Sequence, residues 1–204
     1  MELREALTQI YEIRQQVAQT EVFRGYRAVT VGFSGVLAIV VAVFQSIWLP
    51  SPAGNLPSYL FLWVGAATVS MMVTGAEMLW RCMRATSPLT LVTTTLAIGQ
   101  FMPAVACGGL VMLILWLTGP EVLWLLPGLW AIFFSLGIFA SYRLLPRAVF
   151  WVAAWYLVAG LCCLIWAKGK YAFSPWSMGI TFGFGQFLAA GILYWTLERD
   201  DVNA

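Results

Sequence analysis

The sequence predicts an all-α, polytopic membrane protein with six transmembrane helices and an amphipathic helix ahead of them. Three observations predict it. Apolar stretches of about 20 residues, the length a helix needs to cross a hydrocarbon layer of ~30 Å, follow one another from Ala28 to Leu197. Nearly every Arg, Lys, Asp and Glu stands in a short gap between them. The composition is 61% hydrophobic and 10% charged, where a soluble domain carries about 25% charged residues.

Residues 1–27 read as an amphipathic helix. Leu3, Ala6, Ile10, Ile13, Val17 and Thr20 occupy a and d positions of a heptad, and Leu7 widens the stripe. Three heptads are marginal in isolation, so the stripe is expected to dock. Its partner is the chain's own cytoplasmic loops, a second copy, or another membrane or cytoplasmic protein. Glu2, Glu5, Glu12 and Glu21 outnumber Arg4, Arg14 and Arg24, which disfavours an anionic lipid surface.

The membrane domain, residues 28–197, divides at its prolines, glycines and charges. The expected spans are Ala28–Leu49, Tyr59–Trp80, Leu89–Leu117, Val122–Tyr142, Arg147–Ala167 and Trp176–Leu197. Pro50, Pro52 and Pro57 break the first connection, and Arg81, Arg84 and Pro88 the second. Gly119-Pro120-Glu121 forms the third, Arg143, Pro146 and Arg147 the fourth, and Lys168 to Pro175 the fifth. Span one exceeds the 7–15 residues of a signal-peptide core, so it is expected to stay in the membrane. Span three is long enough to tilt or kink, with Pro103 as the natural place. Residues 198–204 form a short tail.

Orientation follows from the arginines. With the N-terminus in the cytoplasm, Arg4, Arg14, Arg24 and Arg27 fall inside, as do Arg81, Arg84, Arg143, Arg147 and Arg199. Lys168 and Lys170 fall outside. The positive-inside rule therefore places both termini in the cytoplasm. The tryptophans agree. Trp48, Trp63, Trp116, Trp124, Trp166 and Trp176 mark the outer ends of their spans, and Trp80, Trp151 and Trp195 mark the inner ends beside Tyr26, Tyr142 and Tyr194. That pattern is an interfacial aromatic belt. Trp130 and Trp155 stand apart, about two helical turns deeper.

Few polar groups enter the spans. Glu77 is the only acid inside one, near its cytoplasmic end, and Arg81 follows four residues later in the favourable order for an interfacial ion pair. Gln100 and Gln186 fall near mid-span, each between a Gly and a Phe, in spans three and six. Trp63-Val64-Gly65-Ala66-Ala67 in span two echoes Trp151-Val152-Ala153-Ala154 in span five at a nearly equal offset. Three spans per half would make the halves antiparallel, which is the inverted repeat of many transporters. Spans one and four share no such echo, and short matches arise readily in a chain rich in Ala, Gly, Phe and Trp. The alternative role for the glutamines is plain interhelical hydrogen bonding, at about 0.6–2 kcal/mol per contact.

Gly179 and Gly183 form a GxxxG step in span six, continued by Gly185 and Ala189, while Cys107, Gly108 and Gly109 thin span three beyond Pro103. Such surfaces serve close helix packing within a chain or between copies. The cysteines, Cys82, Cys107, Cys162 and Cys163, show no CxxC spacing, and the chain has no His. No metal site, cofactor or catalytic set is expected. A net charge of +2 without a basic patch argues against nucleic acid.

The strings Thr20-Glu21-Val22-Phe23-Arg24-Gly25-Tyr26-Arg27, Leu126-Pro127-Gly128-Leu129-Trp130 and Arg143-Leu144-Leu145-Pro146-Arg147-Ala148-Val149-Phe150-Trp151 carry a resemblance. Over most of its length the chain resembles a family of bacterial six-span integral membrane proteins of unknown function, whose genes often neighbour a winged-helix transcription regulator. The resemblance implies an inner-membrane location and a regulated or regulatory role. It brings no functional residue with it.

An enzyme is disfavoured, because intramembrane chemistry needs nucleophile–base pairs or metal ligands and no span holds a His or an Asp. The expected function is a non-catalytic interaction or regulatory subunit of the bacterial inner membrane, acting through packed helices and the N-terminal stripe. The alternative is a transporter or channel for a small neutral or weakly polar solute, with a midplane site at Gln100 and Gln186 and carbonyls freed at Pro103.

Overall fold

The computed structural model describes residues 28–49, 54–84, 88–168, 171 and 173–198, with the backbone alone for residues 81, 82, 88–94, 197 and 198. The N-terminal stripe from Leu3 to Val17 and the tail beyond residue 198 lie outside the described residues, as does the side chain of Arg81.

Among the described residues the chain is all-helical, and six helices are long and apolar enough to cross a membrane. They are α1 (Ala28–Trp48), α2 (Leu56–Arg84), α3 (Pro88–Thr118), α4 (Leu126–Ala140), α5 (Phe150–Trp166) and α6 (Pro175–Leu193). Short 3₁₀ turns at Pro120–Leu125 and Arg147–Val149 lead into α4 and α5, and a π-helical turn at Tyr194–Glu198 continues α6. Helix α2 outruns its expected apolar stretch and reaches Arg84, whose guanidinium lies 4.1 Å from the centre of the Trp80 ring. A residue at φ 140° begins the turn after α3, and it is Gly119, the residue type that adopts such a backbone without strain.

Helix α3 runs through Pro103 without interruption. Its 31 residues span about 46 Å at 1.5 Å per residue. Both Pro103 and Gly99, whose carbonyl loses its usual donor to the proline, lie exposed.

The six helices form a ring in chain order, which α1 closes against α6. Glycine makes the tightest seams possible. A Cβ on Gly179 would lie 2.6 Å from that of Ala42, and one on Gly183 would lie 2.6 Å from Ile39. Gly35 faces the Gly183 carbonyl across the same seam. The GxxxG step of span six is therefore spent inside the chain, on α1. Helices α4 and α5 meet in the same way: a Cβ on Gly128 or on Gly160 would stand 2.8 Å from the other's carbonyl oxygen. The thinnest contact in the ring is between α2 and α3.

Each end of the ring has its own packed cluster. Thr30 of α1 donates to the Glu77 carboxylate of α2, Met78 packs with Ala97 and Leu144, and Ala28 and Val31 pack on Leu193. These contacts gather the end that carries Arg84, Arg143 and Arg147, here termed the arginine end. Opposite it, Ala42, Tyr59, Trp63, Leu126 and Phe173 share one buried cluster. Trp48, Trp80, Trp116, Trp151, Trp166 and Trp195 point outward, as a belt requires. Trp63 does not. It is 4% exposed and belongs to the interior, a correction to its place in the belt.

Candidate functional site: a cavity inside the helix ring

Helices that carry few polar groups leave few places where chemistry can happen, and the ring gathers several at one cavity. A cavity of about 360 Å³ lies among all six helices, towards the arginine end. Its polar lining is Ser34 of α1, Ser70 and Thr74 of α2, Gln186 of α6, Tyr156 of α5, and Ser141 at the end of α4. No charged side chain lines it among the described residues.

The deep end is aromatic. Phe101, Phe134 and Tyr156 line it from α3, α4 and α5. Phe134 stands edge-on to Phe101 at 5.2 Å between ring centres and tilted on Tyr156 at 4.8 Å. Phe182 closes the layer from behind, 5.4 Å from Tyr156 and 5.7 Å from Phe134. Such contacts are worth about 0.5–1.5 kcal/mol each beyond the area they bury. Tyr156 is fully buried, and its ring lies over Gly185, where a Cβ would come within 2.4 Å. Its hydroxyl interacts with the Gln186 side chain and donates to the Phe182 carbonyl at 3.4 Å. Aliphatic and thioether groups complete the walls, among them Met71, Met78 and Met102.

One polar atom in this lining stands out. The Ser141 hydroxyl is buried, in a residue 4% exposed, and has no hydrogen-bond partner. A buried polar group left unpaired typically costs about 1–3 kcal/mol. By contrast Ser34 is satisfied within its own helix, donating to the Thr30 carbonyl at 3.3 Å.

The residues singled out in the sequence part company here. Gln186 lines the cavity, whereas Gln100 and Pro103 are not among its lining residues. Gln100 is half-buried on α3, with a buried side-chain oxygen that lacks a partner. The Glu77 carboxylate is engaged by Thr30 across the α1–α2 seam. Of the two deep tryptophans, Trp155 donates to the Thr181 carbonyl at 3.0 Å and Trp130 to the Gly108 carbonyl at 3.4 Å, so both tie helices together. No group of three or more His, Cys, Asp or Glu side chains able to hold a metal occurs among the described residues.

Sequence reasoning passes over two features. One is Ser141, which reads as an unremarkable residue at a helix end. The other is Gln45, fully buried at the far end of the ring. Its amide donates to the Phe173 carbonyl at 2.8 Å and accepts from the Trp63 indole at 2.7 Å. That bridge ties α1, α2 and the segment before α6 together above the aromatic layer. An amide inside an otherwise apolar span is the signal that could have found it.

Compared with known protein families, curated proteins and solved structures, the chain matches none.

Proposed function

We propose that the protein is a non-catalytic, multi-pass integral membrane protein of the bacterial inner membrane, with both termini cytoplasmic, that binds and passes a small neutral or weakly polar solute. The observation that carries this reading is the cavity shared by all six helices. A chain built only to hold a partner needs no such space among its helices. An uncharged lining selects uncharged cargo, because a desolvated ion would find no compensating charge or ring of carbonyls there. The deep aromatic layer and the Gln45–Trp63–Phe173 bridge separate the cavity from the opposite end of the ring. The second reading, a non-catalytic interaction or regulatory subunit, draws on the packed helices and on the stripe from Leu3 to Val17, which lies outside the described residues.

The test is thiol labelling in a variant whose four native cysteines are replaced by alanine. Thr74→Cys, Ser141→Cys and Gln186→Cys are expected to react with a small water-soluble thiol reagent supplied from the cytoplasmic side. Gln45→Cys is expected to stay inert. Inert thiols at all three cavity positions in folded protein would overturn the reading.

A further inference from the structure

The cavity has a shape and a chemistry, and both narrow what it takes. Its volume of about 360 Å³ is roughly twice that of an engineered protein cavity of ~150 Å³ that holds one benzene ring. Aromatic edges and faces crowd one end, where Phe101, Phe134 and Tyr156 meet Gln186. Ser141 stands seven residues beyond Phe134 along the chain, two helical turns or about 10 Å at 1.5 Å per residue. Ser141 belongs to the cavity wall, and its unpartnered hydroxyl lies just beneath the wall's surface, within reach by rotation of the side chain. Between the two ends the walls are aliphatic or thioether, and sulfur makes favourable contact with aromatic rings.

Resting on the solute-site reading above, we propose that the ligand is a flat, uncharged aromatic molecule of about two rings with a hydrogen-bonding group at each end. One end lies against the aromatic layer with its polar group on Gln186. The other reaches Ser141, whose hydroxyl gains the partner it lacks. Each feature of the lining then has a use: rings for a ring face, an amide and a hydroxyl for two polar ends, and no charge for a neutral body.

The experiment uses the full chain in lipid nanodiscs, with empty nanodiscs to subtract partitioning into lipid. Equilibrium dialysis compares three probes of one skeleton: 2,6-dihydroxynaphthalene, its saturated counterpart decahydronaphthalene-2,6-diol, and the anionic 6-hydroxynaphthalene-2-sulfonate. Saturable binding of the aromatic diol is expected, weaker by roughly threefold to tenfold for the saturated diol, as the loss of one ring contact implies. The sulfonate is expected not to bind. Ser141→Ala removes a single atom and is expected to weaken the aromatic diol by about threefold to tenfold, the equivalent of one net hydrogen bond. Ser46→Ala, whose hydroxyl donates within its own helix to the Val43 carbonyl at 2.7 Å and lies outside the cavity lining, is expected to leave it unchanged. Equal affinity for the saturated diol, binding of the sulfonate, or indifference to Ser141→Ala would each overturn the proposal. These results would leave the solute site standing if the cavity thiols still react. Absence of binding by all three probes together with inert thiols would remove both.

Discussion

Trp63 donates its indole N–H to the Gln45 side chain at 2.7 Å, and Gln45 passes a second bond of 2.8 Å to the Phe173 carbonyl. Both side chains are buried, and three separate segments converge on one amide. Gln45→Leu keeps the volume but strands the indole N–H and the carbonyl in an apolar cluster. The expected loss is about 1–3 kcal/mol for each of the two groups left unpaired. Unfolding in mixed micelles measures it, and Trp63→Phe, which removes one bond and a little surface, is expected to cost less. A Gln45→Leu protein as stable as the parent would show that the bridge does not hold the far end shut.

The glycines divide into two kinds, and the division is testable. Gly179 and Gly183 admit no Cβ without moving Ala42 or Ile39, whereas Gly65 and Gly109 have nothing within 4 Å of such an atom. Gly183→Val is therefore expected to force α1 from α6 and cost about 1–3 kcal/mol, as overpacking does. Gly65→Ala and Gly109→Ala are expected to be neutral or to stabilise by up to ~1 kcal/mol, through helix propensity alone. The penalty at Gly183 is expected to be independent of protein concentration, because the seam lies within one chain. A concentration-dependent penalty would instead place the seam between copies.

Much of the architecture is legible in the sequence because its signals are coarse. Arginines cannot sit cheaply mid-membrane, and with the clustered prolines and the Gly119-Pro120 step they mark the connections, so observed helices such as α1 and α6 begin within a residue of the expected spans. What cannot be read is direction around each helix axis. In lipid the outward face and the packed face are both apolar, so the 3.6-residue contrast that orients a helix in a soluble protein fades. Trp63 shows the consequence: its depth matches the interfacial belt, yet its side chain turns inward to Gln45. Ser141 and Phe134 likewise give no hint of a shared cavity until α4 is rotated into the ring. Gln186 is visible as a mid-span amide, and Gln100 equally so, but which of them faces the interior depends on the same rotation.

Gly185 and Tyr156 give a direct handle on the deep end of the cavity. The Tyr156 ring occupies the space that a side chain at residue 185 would need, with ring atoms 2.4 to 2.8 Å from where a Cβ would stand. Gly185→Ala is expected to displace the ring, to destabilise by about 1–3 kcal/mol and to raise the reactivity of Gln186→Cys in the cysteine-free background. Tyr156→Phe keeps the ring stack and removes only the hydroxyl, so it is expected to leave stability within about 1 kcal/mol of the parent. Equal damage from both substitutions would mean that the hydroxyl, and not the ring's fit over Gly185, holds this layer.

Orientation is decided by charge. Arg84, Arg143 and Arg147 stand at connections on one end of the ring and Lys168 at the other. Short loops rich in Lys and Arg are retained in the cytoplasm during insertion, so the arginine end, and with it the cavity, is expected to face inward. Reporter fusions after Leu49, Trp116 and Ala167 should then report the outside, and fusions after Trp80, Tyr142 and Ala204 the cytoplasm. The bias is strong enough to be moved by design. Replacing Arg143 and Arg147 by Gln removes the positive charge from the α4–α5 connection, while adding two lysines beside Lys168 strengthens the opposite side. Together these changes are expected to weaken the cytoplasmic signal after Tyr142 while the single changes leave it intact, because the arginines of the other inner connections still act. An outside signal from the fusion at Ala204 in the parent would mean either an inverted orientation or an odd number of crossings, and each would overturn the cytoplasmic placement of both termini.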